Sequence, residues 1–153
     1  VAFFQQTLDR MVILALFLPV LAGQSGNTGS QALAVTLRGL TLGELKSGTE
    51  RTLVAKEGLL GLFNGVLVGL TAGVGMYVVA TMQDSPNALA LAGIVVLAMT
   101  GSCVVSGVAG ALIPLTLRRM GADPATASGI FLTTATDVVS MGLFLGLATL
   151  LLA

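Results

Sequence analysis

Asp137 is the residue of this sequence whose position most strongly suggests chemistry, because it interrupts the apolar segment Phe131–Phe144. A carboxylate in lipid is costly unless it faces a protein interior or water, so such residues commonly mark ion or substrate paths. On a helix, the hydroxyls of Thr133, Thr134 and Ser140 would lie on the same face. This arrangement could contact a cation or relay protons. We favour contact with an ion; the alternative is a structural carboxylate that accepts hydrogen bonds from Asn27 or a threonine.

The available ligand atoms are all oxygens, which favours magnesium, calcium, manganese or a monovalent cation over soft metals. Magnesium keeps most of its waters and typically uses one or two carboxylates. A twofold axis would bring two copies of Asp137 together and double the ligand set. These residue types therefore suit a hydrated divalent ion on a dimer axis, and they also suit a monomeric pore.

A second polar segment, Gly23–Gln31, lies within another apolar stretch and contains Gly26-Asn27-Thr28-Gly29. Counted along a helix, Asn27 lies about 16 Å from Arg38 and Asp137 about 20 Å from Pro124. We therefore expect the two polar features to meet at a similar depth as a polar lining. The alternative is a helix-breaking packing motif without a ligand.

Composition places the chain among integral membrane proteins. Its 153 residues are 55% hydrophobic and 9% charged with a mean hydropathy of +0.99, whereas soluble domains carry about 25% charged residues. Zero net charge and the lack of histidine give no support to nucleic-acid binding or to an enzyme. In particular, the serines within apolar segments have no histidine to act as a base. We interpret the single Cys103 as a packing residue.

The apolar segments predict an all-α, polytopic membrane helix bundle that forms one transmembrane domain. Four spans are expected, at about 3–40 (broken near 23–31), 57–81, 87–117 and 124–153. Six of the seven basic residues flank the first and third loops, which predicts that 41–56 and 118–123 are cytoplasmic and that residues 1 and 153 lie on the outer side. An odd number of helices is then expected before Val1, so we interpret the chain as part of a longer polypeptide.

Local motifs predict the helix ends. Thr41-Leu-Gly-Glu44 resembles a capping box that would begin a short surface helix. Gly121 suits the end of the third span. Asp123 suits an N-cap, with Pro124 at the first helical position of the fourth span.

Four glycines in the second span, Gly61, Gly65, Gly69 and Gly73, are spaced by four residues and form one stripe. Such spacing lets helix backbones approach closely in lipid. We expect packing within one subunit rather than a seam between two subunits. Under either interpretation the glycines serve helix packing.

Three segments carry a resemblance to a known family: Leu18–Gln31, Pro114–Ala125 and Ser128–Asp137. In order and spacing the chain resembles the membrane domain of the MgtE family of magnesium channels and their eukaryotic solute-carrier relatives. The resemblance implies a homodimeric magnesium channel in the cell (inner) membrane, with its pore at the dimer interface. Family members have five membrane helices, and this chain matches the last four.

The resemblance also implies roles for individual residues. Asp137 would bind hydrated Mg²⁺ in the pore with help from the carbonyl of Thr133, and the segment Gly26–Gly29 would border the path. We expect Thr133, Thr134 and Asn27 to supply neutral oxygens, and Thr28 to be among the residues that line the pore. Many members have Asn-Pro or Gly-Pro where this chain has Gly129-Ile130, so Gly129 marks a pore entry of altered geometry. Long bacterial members add a cytosolic regulatory domain, which would lie outside this chain.

Two other functions fit the same residues. A secondary transporter would exchange magnesium for sodium or protons, although such carriers are typically built from internal repeats and none is evident here. A structural membrane module would bind only lipid and protein, with no ion near Asp137.

Overall fold

The computed structural model describes residues 12–45 and 48–152, and these residues form four α-helices and no strand. The helices are α1 (Ile13–Thr41), α2 (Glu50–Met82), α3 (Ala88–Arg119) and α4 (Pro124–Leu152). The predicted all-α bundle is confirmed. The expected start of the first span near residue 3 and both chain ends lie outside the described residues.

Three helical segments of the described chain are long and apolar enough to cross a membrane: Glu50–Met82, Ala88–Arg119 and Ser128–Leu152. At 29 residues, α1 is also long enough, about 44 Å, but the polar segment 23–31 dilutes its apolar character. Large apolar side chains such as Phe63, Leu67 and Val74 cover the outside of α2. In water such a surface would be unfavourable, whereas lipid tolerates it.

The first helix is continuous through residues 23–31, so the break predicted there is wrong. The polar side chains are accommodated without unwinding because their hydroxyls bond to carbonyls of the same helix. Ser25 Oγ donates to the Ala22 carbonyl and Thr28 Oγ1 to the Gln24 carbonyl, each at 3.1 Å. The glycines of this segment therefore leave parts of the helix surface without side chains, while the helix itself remains continuous.

The glycine stripe of α2 lies along α3, and we call this contact the α2–α3 seam. A Cβ at Gly65 would lie 2.7 Å from the Thr100 Cα, and one at Gly73 would lie 3.2 Å from the Ala92 carbonyl oxygen. A Cβ at Gly61 would overlap the Cys103 carbonyl. The absence of side chains thus lets two antiparallel backbones touch along four helical turns.

The apolar core occupies the end of the bundle away from Arg38, Arg118 and Arg119. It joins the beginning of α1 and of α3 with the ends of α2 and α4, through fully buried Leu14, Leu21, Met76, Leu91, Met99 and Phe144. The other half of the bundle contains more polar side chains. Asn27 and Asp137 lie near the middle of α1 and α4, where this apolar core ends.

The end of α1 contradicts the predicted capping box. Thr41 closes the helix, and its hydroxyl donates to the Leu37 carbonyl. Gly43, at φ +68°, provides the left-handed residue of a Schellman motif in which the Glu44 N–H bonds to the Gly39 carbonyl at 3.0 Å. A glycine two residues after the last helical turn outweighs the Thr-x-x-Glu pattern.

The motifs between α3 and α4 are confirmed. Gly121 has φ +77° and ends α3, while Asp123 Oδ1 accepts the Ala125 N–H at 3.0 Å and caps α4. Hydrogen bonds from the Thr126 hydroxyl and the Ala125 N–H hold the pKa of the exposed Asp123 carboxyl below its ordinary value. These caps set where α4 begins and hence how deep Asp137 lies.

Candidate functional site

Helices α1 and α4 enclose an open cavity of about 250 Å³, which we call the α1–α4 groove. From α1 it is lined by residues four or three apart, which lie on one helical face: Ala22, Gly23, Gly26, Asn27 and Ser30. From α4 it is lined by Leu132, Thr133, Thr136 and Asp137. The polar segment of one helix therefore faces the intramembrane carboxylate of the other.

Asp137 is half-buried in this groove. Within residues 12–45 and 48–152, its carboxylate takes part in no hydrogen bond or ion pair with the protein, and the single ion pair of that part joins Arg119 to Glu50. A carboxylate with a purely structural role would accept such bonds. The geometry leaves its oxygens available to a ligand in the groove.

Three predicted site residues share the groove with Asp137: Gly26, Asn27 and Thr133. Asn27 and Thr133 are exposed when the chain is considered alone. Gly26 has nothing within 4 Å of the position that a Cβ would take. The groove wall on the α1 side is therefore backbone and amide, with space in front of it.

Four other predicted site residues lie elsewhere. Thr28 is buried with its hydroxyl 3.6 Å from the Cys103 sulfur, and Gly29 packs against Leu132 and the Ser106 carbonyl. Thr134 and Gly129 are exposed on α4 outside the groove. The Gly26–Gly29 segment thus has two faces: its first half lines the groove and its second half packs against α3.

The hydroxyls of this part of α4 point their protons at their own helix. Thr133 Oγ1 donates to the Gly129 carbonyl and Thr136 Oγ1 to the Thr133 carbonyl, both at 3.0 Å. Because each hydroxyl proton is used, the oxygen presents only lone pairs to the groove. The lining therefore accepts hydrogen bonds and donates few.

The sequence reasoning missed several lining residues. Thr136 was not among the hydroxyls expected on the Asp137 face, but it is buried and lines the same groove. Ser30 and Gly23 lie one turn from Asn27 and also line it. The sequence does not show that α1 packs beside α4. Between two neighbouring antiparallel helices, more residues of each helix line the groove than the single face around Asp137 suggests.

An acceptor lining with one carboxylate suits a cation that retains its water. A water molecule occupies about 30 Å³ in the liquid, so six waters need roughly 180 Å³ and fit the groove. Among the described residues no group of three or more acidic, histidine or cysteine side chains could hold a bare metal ion. The arrangement is chemically able to contact a hydrated cation through its waters.

Comparison with known proteins places the chain in a family. The family model MgtE, described as a divalent cation transporter, matches residues 18–147. Proteins named magnesium transporter MgtE from Enterococcus faecalis and Bacillus subtilis are 35% and 32% identical to it over 96% and 97% of the chain. A protein of the same name from Thermus thermophilus is 32% identical over 97% of the chain.

The chain spans about a third of the length of these relatives, 31% to 32% of each. The family match includes both the polar segment of α1 and Asp137 of α4. With its apolar helices and this similarity, the chain belongs to the MgtE family of divalent cation transporters.

Proposed function

We propose that this chain forms the conducting part of a magnesium channel in which Asp137 contacts the hydrated ion. The observation that carries the proposal is a carboxylate at membrane depth that lines an open groove and has no partner among the described residues. Magnesium is proposed as the ion because the similar proteins are named magnesium transporters.

The ion would be held through its water shell. Waters bound to a divalent cation donate hydrogen bonds strongly, so a suitable site offers acceptors. The Asp137 carboxylate, the Asn27 amide oxygen and the hydroxyl oxygen of Thr133 are such acceptors on the groove wall. Retaining the shell avoids the cost of dehydrating magnesium, which is high.

A second copy of the chain would complete the pore. In a single chain the groove opens on the lateral surface of the bundle, which would contact lipid. Exposing the Asp137 carboxylate to lipid would cost a few kcal/mol. Twofold symmetry would place a second Asp137 opposite the first and bury both apart from lipid. Exposed Phe131, Thr134 and Val138 on the outer side of α4 would then lie at or near the interface.

The charged end of the bundle would face the cytoplasm of a cell (inner) membrane. Arg38, Arg51 and Lys56 lie near the α1–α2 loop, and Arg118 and Arg119 end α3. By the positive-inside rule this end is cytoplasmic. All four helices, including α1, would then span the membrane around a path running from the outer side past Asp137.

The decisive experiment is Mg²⁺ uptake by the full-length protein in liposomes, comparing wild type with Asp137→Asn. Unit charges 4 Å apart interact by about 4 kcal/mol at an effective dielectric constant of 20, and a divalent ion by about twice that. We therefore expect uptake to fall at least a hundredfold while the protein stays folded. The matched control is Asp84→Asn, the same chemical change at an exposed turn with φ +52°, where asparagine is well tolerated.

Uptake that survives Asp137→Asn would refute the proposal. Current recordings separate a channel from a coupled carrier. Single-channel events favour the channel, whereas uptake that strictly requires a sodium or proton gradient favours the carrier.

A further inference from the structure

Glu57 is a buried acidic residue that lies outside the α1–α4 groove. Its residue is only 5% exposed, although it lies two turns after the start of α2, about 10 Å from the basic end. Its backbone touches α3, since a Cβ at Gly107 would lie against the Glu57 carbonyl. The other described acidic residues near this end, Glu44, Glu50 and Asp123, are more exposed. Glu57 is therefore the most buried of these acidic residues.

The side of α2 that carries Glu57 lines a second cavity, of about 270 Å³, between α1 and α2. Asn64 follows two turns later on the same face, and α1 contributes Gln31 and Thr28. Of the packed helix pairs in the described bundle, α1 and α2 share the smallest contact. We call this space the α1–α2 cavity.

Nothing in the described part of the protein neutralises Glu57. Within residues 12–45 and 48–152 its carboxylate forms no hydrogen bond or ion pair, since the ion pair of that part joins Arg119 to Glu50. Lys56 also lines the cavity but is exposed, and it forms no ion pair with Glu57 there. A largely buried carboxylate without an ion-pair partner is unfavourable, and a cation bound in the cavity that it lines would offset its charge.

We infer that the α1–α2 cavity is a second cation site, in which Glu57, Gln31 and Asn64 hold a hydrated divalent ion. One carboxylate with amide and hydroxyl oxygens is a hard-ligand set. The volume accommodates an ion with about six waters, roughly 180 Å³. The charge of Lys56 at the cavity opposes the ion and keeps its affinity moderate.

This site is separate from Asp137. On α1 the residues lining the two cavities point about 140° apart around the helix axis. Glu57 lies about 10 Å nearer the basic end than Asp137. The inference stands on its own residues and does not require Asp137 to bind an ion. An ion here would join α1 to α2 across their sparse contact.

Counting bound Mn²⁺ by electron paramagnetic resonance tests the site in the full-length protein, because Mn²⁺ is a hard, oxygen-preferring ion. Glu57→Gln is expected to remove one bound Mn²⁺ per chain, whereas Asp137→Asn removes one per dimer if the proposed pore is right. Loss with Glu57→Gln but not with Asp137→Asn would support this site and refute the pore site. An unchanged count in Glu57→Gln, or full displacement of that ion by Na⁺ at equal concentration, would overturn the inference.

Lys56→Gln keeps the test informative if Glu57→Gln does not fold. Removing the exposed ammonium should tighten Mn²⁺ binding at this site several-fold and leave the Asp137 site unchanged. Arg118→Gln, an exposed charge at the same end but outside the cavity, is the matched control. Equal affinities in Lys56→Gln and wild type would also count against the site.

Discussion

The α2–α3 seam and the α1–α4 groove are both rich in small residues, yet they differ in what surrounds those residues. In the seam, a Cβ at Gly65 would meet the backbone of Thr100 at 2.7 Å. In the groove, a Cβ at Gly23 or Gly26 would meet nothing within 4 Å. The same residue type therefore closes one helix pair and keeps the other pair open.

The difference separates an interface that packs two helices together from an open groove that we propose binds an ion. Apolar bulk gives no driving force between helices in lipid, so close backbone contact has to supply it. In the groove the two helix backbones are not in such close contact, and polar oxygens line the space between them. Substitutions in the two regions should accordingly change different observables.

The largest expected effect is in the seam. Gly65→Ala should destabilise the protein by about 3 kcal/mol, because the neighbouring atoms are backbone and cannot rotate away. Gly146→Ala is the matched control: nothing lies within 4 Å of its Cβ position, and alanine raises helix propensity by about 1 kcal/mol. Thermal unfolding in detergent measures both. Equal melting temperatures for the two variants would show that the seam is looser than described.

An intermediate effect is expected in the groove. Asn27→Leu should lower Mg²⁺ uptake about tenfold to a hundredfold, since a hydrogen bond to a charged partner contributes about 1.5–3 kcal/mol. Its melting temperature should stay within a few degrees of wild type because Asn27 is exposed. Gln24→Leu, an amide of the same helix outside the groove, is the control. Equal uptake in both variants would remove Asn27 from the conduction path.

The smallest effect is expected at Ser106, a buried residue of α3. Ser106 is buried, and its hydroxyl has no hydrogen-bond partner among the described residues. Ser106→Ala removes a buried polar group that is unsatisfied, so stability should stay equal or rise by up to about 1 kcal/mol. Thermal unfolding measures it, with Thr36→Ala as the contrast, since the buried Thr36 hydroxyl bonds to the Ala32 carbonyl at 2.8 Å. A clear loss in Ser106→Ala would indicate a polar partner at this position.

Much of the fold followed from the sequence because apolar length and helix caps are local properties. The turn at Gly121, Asp123 and Pro124 was predicted from adjacent residues and is confirmed. The prediction at Thr41 failed although it was equally local, because a Thr-x-x-Glu pattern fits either end of a helix. Gly43 decides between the two.

The candidate site was less predictable because it depends on packing between distant segments. Depth along each helix correctly suggested that Asn27 and Asp137 lie near one another, and the structure places both in one groove. The expected break at 23–31 failed because hydroxyl-to-backbone bonds accommodate a polar helix. Glu57 was not among the predicted site residues. It is buried where α2 packs against α3, with its backbone carbonyl beside Gly107.

One contact between α1 and α3 limits how the bundle can move. A Cβ at Gly110 would overlap the Gly29 carbonyl, so the two backbones touch just beside the groove. Sliding α1 along α3 would bring larger side chains into that crossing. The groove wall that carries Asn27 is thereby anchored, and any widening of the α1–α4 groove has to come from displacement of α4.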